Sequence, residues 1–202
     1  MKNSEGGWKC PINDYEFCNS LLSNVVIPKS VKSIGKSAFK YCHSLTYVQF
    51  LSDYIRSIDE YAFRGCKNLK RILLPTKASY IGQYAFSGCG FTNITIPDGI
   101  KSIENNLFDS CESLQIVKIP SSIAVLKIYS FYNCTSLQNI EIPPSVSVIE
   151  TRTFQNCTSL KNIELPPLVT SIEKITFCGC SSLENITIPS SVTIIKGPHT
   201  FY

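Results

Sequence analysis

One phrase, close to I-P-x-x-V-x-x-I-x-x-x-A-F-x-x-C-x-S-L-x-x-I-x, returns every 22 to 24 residues from Ile27 to the C-terminus. Its phenylalanine falls at Phe39, Phe63, Phe86, Phe108, Phe131, Phe154 and Phe177. A cysteine follows three residues later each time, at Cys42, Cys66, Cys89, Cys111, Cys134, Cys157 and Cys180. Prolines mark the other end of the unit at Pro28, Pro75, Pro97, Pro120, Pro143, Pro166 and Pro189, and Leu51 stands where one is missing. A period this short predicts a solenoid, because one unit cannot bury its apolar face except against its neighbours. The repeats give seven coils with one continuous core. Residues 22–202 are read as the solenoid, with an incomplete last repeat, and residues 1–21 as an N-terminal cap.

The stretch from Leu137 to Leu160 shows how one unit becomes one coil. Apolar Ile140 and Ile142 alternate with polar Asn139 and Glu141, the pattern of a half-buried strand. Pro143 and Pro144 remove two backbone donors and end the pairing. Val146 and Ile149 turn two more apolar groups inward, and Phe154 fills the interior. In five of seven repeats the residue before the cysteine is glycine or asparagine: Gly65, Gly88, Asn133, Asn156 and Gly179. Both types tolerate the left-handed conformation that closes a short helix, so a helical turn is expected to end there. Stacked strands about 4.8 Å apart make a parallel sheet, and seven of them span about 35 Å. Bulkier turns opposite make the sheet side the concave one. The second coil carries one extra residue near Leu51 to Tyr54. The third lacks one near Gly90, where Phe91 takes the place of the usual leucine.

The signature resembles the BspA-like leucine-rich repeats, found in surface proteins of mucosa-associated bacteria and protozoan parasites. The match runs from about Leu22 to Ile195. The resemblance implies a leucine-rich-repeat solenoid and a non-enzymatic module that adheres to a host or matrix protein at the cell surface. The residues themselves leave a second reading, an intracellular protein–protein scaffold. No run of about 18 apolar residues is present, and no hydrophobic stretch follows Lys2, so no membrane insertion and no secretory signal are expected. Location stays open between the cell surface, which the resemblance implies, and the cytoplasm, the runner-up on the missing signal and span.

The chemistry-bearing residues point to structure. Equivalent atoms of adjacent coils lie about 4.8 Å apart, farther than the ~3.8 Å between Cβ atoms that a disulfide prefers. One thiol per coil cannot surround a metal, and no histidine column accompanies it. The seven cysteines therefore read as buried, reduced packing groups. Cys10, Cys18 and Cys178 lie off this ladder, and Cys10 could pair with Cys18 in an oxidising environment. His43 and His199, the two histidines, have no repeated nucleophile or carboxylate partner. No catalytic residue, cofactor or metal is expected. The sequons at Asn93, Asn133, Asn156 and Asn185 fall on consensus positions and read as by-products of the repeat.

What remains is a surface. Outward strand positions form two columns: Tyr47, Arg71, Asn93, Ile116, Asn139, Asn162, Asn185, and Gln49, Leu73, Thr95, Lys118, Glu141, Glu164, Thr187. The first ten positions of the pair (Tyr47, Gln49, Arg71, Leu73, Asn93, Thr95, Ile116, Lys118, Asn139 and Glu141) are the candidate protein-binding residues. Tyr47, Arg71, Leu73, Ile116 and Lys118 break an otherwise polar pattern with the aromatic, aliphatic and cationic groups from which interface anchors are made. Residues 1–101 carry 13 Lys/Arg against 7 Asp/Glu, and residues 102–202 carry 6 against 8. This charge polarity could orient a partner, but it lacks the concentrated basic stripe that nucleic acid requires. At the far end, Ile194, Ile195, Phe201 and the strand Asn185 to Ile188 would face solvent. That end is expected either to continue into further repeats or to pair tail-to-tail in a homodimer.

Overall fold

The computed structural model describes residues 11–197 and 199–201. The proposed Cys10–Cys18 pairing lies outside the described residues. The chain winds as a parallel solenoid of strand and turn segments, and the coil through 138–142 has an isolated bridge, Asn139 to Asn162, where the others carry an outer strand. The longer outer strands are Asn24–Ile27, Tyr47–Phe50, Arg71–Ile72, Asn93–Thr95, Ile116–Lys118, Asn162–Glu164 and Asn185–Thr187. Two-residue lateral strands come once per coil, beginning with Ser33–Ile34 and Ser57–Ile58 and ending with Ile194–Ile195. All pairings are parallel and in repeat register: Asn24 meets Tyr47, which meets Arg71, and Ser171 meets Ile194. Between the two strands the proline carbonyl closes a tight turn, with Val146 N–H donating to Pro143 O at 3.0 Å.

The short helix expected before each cysteine does not form; no helix occurs among the described residues. Its backbone donors are divided between two jobs. Ala38, Lys40 and Cys42 donate to the carbonyls three residues back, at 3.1–3.2 Å. Ser37, Phe39 and Tyr41 instead donate across to Glu60, Ala62 and Arg64 of the next coil, at 2.7–2.9 Å. A helix would keep every donor inside its own segment, so this alternation excludes one and stitches the coils together. It also needs two left-handed residues per coil, two before and two after the phenylalanine. The second is Gly65, Gly88, Asn133, Asn156 or Gly179, as the residue types indicated. The first is Tyr61, Tyr84, Tyr129, Arg152 or Ile175, side chains for which this conformation is costly.

The core is one continuous cluster, and phenylalanine rings run through it as a stack. Phe39 and Phe63 lie 5.1 Å apart at 3°, and Phe131 and Phe154 lie 5.5 Å apart at 9°. The stack extends beyond the seven repeats. Phe17 sits 5.1 Å from Phe39, flanked by left-handed Tyr15 and Asn19, so the stretch expected to cap the rod carries the turn of a coil. At the far end Phe201 lies 5.8 Å from Phe177, and Phe177 N–H donates to Thr200 O. Ile194 and Ile195 there remain half exposed. In the shortened third coil Phe91 is fully buried and meets Phe86 and Phe108 edge-on, which fills the space a leucine takes elsewhere.

Candidate functional site

The cysteines are structural in a way their spacing did not show. Each ladder thiol donates to the phenylalanine carbonyl of the preceding coil: Cys66 to Phe39, Cys111 to Phe86, Cys157 to Phe131, all at 3.1–3.2 Å. The same pairing links Cys42 to Phe17 and Cys180 to Phe154. Burial pushes the Cys111 and Cys180 thiols up to about 12, and those of Cys134 and Cys157 well above their ordinary value. A thiol held protonated is a donor and a poor nucleophile. All nine cysteines among the described residues are free. No cluster of three histidine, cysteine or carboxylate side chains able to hold a metal occurs among those residues.

With phenylalanine and cysteine turned inward, the outward side chains of the long strands are what each coil presents. Alternation places them: Asn93 and Thr95 are exposed while Ile94 between them is buried, and Ile116 and Lys118 flank buried Val117 in the same way. Nine of the ten predicted residues are exposed, and Tyr47 is half-buried. The columns stack in register, Tyr47 beside Arg71, Asn93 beside Ile116, Thr95 beside Lys118. They also begin one coil earlier than the sequence reading placed them, since Asn24 pairs with Tyr47 and Val26 with Gln49. The alternation of Asn24 to Ile27 carried that signal. The amide stack expected along the asparagine column is made where Asn185 donates to Asn162 at 2.8 Å.

Pairing of the outer strands lapses twice, and a groove opens at each lapse. Elsewhere neighbouring coils are tied at this face, as by Lys70 N–H to Thr46 O and Gln115 N–H to Thr92 O. Among the described residues no backbone hydrogen bond joins 71–76 to 92–98, or 115–119 to 138–142. The first groove, about 520 Å3, takes in Leu73, Asn93 and Thr95. The second, about 650 Å3, takes in Ile116, Lys118, Asn139 and Glu141. The first lapse accompanies the missing residue of coil three. There Gly90 runs so close to the preceding coil that a Cβ would stand 2.0 Å from the carbonyl oxygen of Lys67. Seven of the ten predicted residues thus line the two grooves, and Tyr47, Gln49 and Arg71 line neither. Asp53, Asp98, Gln115 and Gln138 join the seven at the groove walls. These four escaped a reading based on strand columns, because they lie outside the strands.

The BspA type leucine rich repeat region matches this sequence in six copies over residues 11–90 and 79–202. The chain belongs to that family. Solved structures agree. A leucine-rich repeat protein from Bacteroides ovatus is 26% identical with a TM-score of 0.63, over 94% of this chain and 67% of that one. The leucine-rich repeat protein of T. pallidum is 29% identical with a TM-score of 0.73, over 79% of this chain and 75% of that one. The pneumococcal vaccine antigen PcpA shares the fold at 18% identity, with a TM-score of 0.55 over 98% of this chain and 68% of that one. No curated protein matches. Within this chain, the repeated hydrophobic positions are those that the coils bury, and the outward strand positions differ from coil to coil.

Proposed function

We propose that this BspA-type chain is a non-enzymatic recognition module that binds a host or matrix protein through its long-strand face, as a cell-surface adhesion protein does. The observation that carries the reading is the exposure, in repeat register, of Arg71 and Leu73 beside half-buried Tyr47 along one short parallel sheet and of Ile116 and Lys118 on the next. Aromatic, arginine and aliphatic groups held on a rigid scaffold supply binding energy at low ordering cost. The core thiols whose pKa burial raises donate to backbone carbonyls, which supports a packing role for them. Those reduced thiols also suit an intracellular scaffold, which would use the same face.

The test is a surface-binding measurement against a panel of purified matrix proteins. The Tyr47→Ala, Arg71→Glu and Lys118→Glu variants should each lose about tenfold or more in affinity for the bound member. Lys101→Glu and Lys174→Glu, which alter exposed charges off this face, should not. Equal losses from both sets would remove the long-strand face as the contact site.

A further inference from the structure

We propose that the groove between the outer strands of the third and fourth coils is a docking slot for an extended peptide segment of the partner, one that carries an apolar side chain beside a basic one. This deepens the binding reading above and rests on it.

The groove's floor and walls are apolar: Phe50, Ile72, Leu74, Ile94, Ile96 and Pro97 line it. Leu73 stands at its rim with 81% of its surface in water, the most exposed aliphatic side chain on this face. Strand peptide groups on both sides face the gap without the inter-coil bonds that neighbouring coils make there. Unpaired strand edges are templates for an extended backbone, whose own donors and acceptors repeat at the matching interval. An extended segment can bring its backbone to that edge.

Charge selects the occupant further. Asp53 and Asp98 are the charged residues of the lining, and no ion pair engages either among the described residues. Asp53 is held in place by accepting the Thr76 N–H at 3.3 Å, while Asp98 is exposed and has no ion-pair or hydrogen-bond partner among the described residues. Two carboxylates at one end of an apolar slot are complementary to a lysine or arginine adjoining an apolar residue. The second groove differs, since it holds Lys118 as well as Glu141 and so offers no net attraction of either sign.

The probe is a set of three synthetic heptapeptides, Gly-Ser-Leu-Xaa-Leu-Ser-Gly, with arginine, glutamine or glutamate at Xaa. They are titrated into the whole isotope-labelled chain while amide shifts are followed. The arginine peptide should move the amides of residues 72–76 and 93–98 and bind about threefold or more tightly than the glutamate peptide. That preference should vanish in high salt and in the Asp53→Asn/Asp98→Asn double variant, while Leu73→Ser should weaken all three peptides. Absence of shifts there, or equal binding of arginine and glutamate peptides, would overturn the proposal. A purified matrix protein that binds through Tyr47, Arg71 and Lys118 while the peptides fail would remove this slot and leave the recognition reading standing. Peptide binding here without any effect of those three positions on a protein ligand would do the reverse.

Discussion

The Sγ of Cys134 lies 3.2 Å from the carbonyl oxygen of Phe108, one coil away. That oxygen already accepts the Cys111 N–H at 3.1 Å. The phenylalanine carbonyl is thus satisfied twice, once within its own coil and once by a side chain of the next. Repeated along the rod, the arrangement joins each coil to its neighbour by a bond that needs neither strand pairing nor charge. It also explains the choice of cysteine. Alanine would leave the second lone pair unmet, and a bulkier aliphatic side chain would crowd the ring stack.

Phe131 tests the stack itself. Its ring is fully buried between Phe108 at 5.4 Å and Phe154 at 5.5 Å. Phe131→Ala should cost about 3–5 kcal/mol, the usual penalty for a large cavity in a packed core. Urea unfolding of the two proteins gives the number directly. A variant as stable as the parent would contradict the coil packing.

Alkaline pH should unfold this protein in a manner set by its thiols. Burial raises the Cys111 and Cys180 pKa from an ordinary 9.0 to about 12, so the folded state favours the protonated form. The resulting stability is fully present below the unfolded thiol's pKa. It is lost progressively as pH rises from there toward the folded value, because only the unfolded chain releases the proton. Each such thiol contributes a slope of about 1.4 kcal/mol per pH unit across that window. Cys111→Ala should therefore flatten the fall in urea midpoint above about pH 9 by one proton's worth, measured against the parent protein. Parallel curves would show that Cys111 is not held protonated by the fold.

Ile175 occupies the left-handed slot at φ 61, which Asn106 fills three coils earlier at φ 54. A β-branched side chain in that region costs about 1–2 kcal/mol, a strain asparagine largely avoids. Ile175→Asn is expected to raise stability by about 1 kcal/mol, a rise of a few degrees in thermal midpoint. A destabilised variant would show that the apolar cover supplied by Ile175 outweighs the strain.

Much of this architecture could be read from the chain because the repeat fixes register. Once Phe39 and Cys42 are aligned with Phe63 and Cys66, inward and outward positions follow for every coil, and the columns from Tyr47 to Glu141 come with them. The turn segment was less legible. Its left-handed residues include Tyr61, Arg152 and Ile175, which no residue preference marks, and half its donors serve another coil, which intrachain spacing does not show. The grooves were illegible for a different reason. A lapse in pairing depends on the distance between coils, and the lost residue beside Gly90 signalled a local shift without giving its consequence for Arg71–Ile72. Phe17 and Phe201 were missed as members of the stack because their coils lack the remaining consensus.

Thiol accounting under native conditions tests the coil structure most directly. Intact protein treated with iodoacetamide and mapped by mass spectrometry should carry no label on Cys66, Cys89, Cys111, Cys134 or Cys157, all buried, whereas the partly exposed Cys178 should react. All five should label once the chain is unfolded in urea. Rapid native labelling of any of the five, or a disulfide joining two of them, would contradict a solenoid that buries its thiol column against the phenylalanine carbonyls.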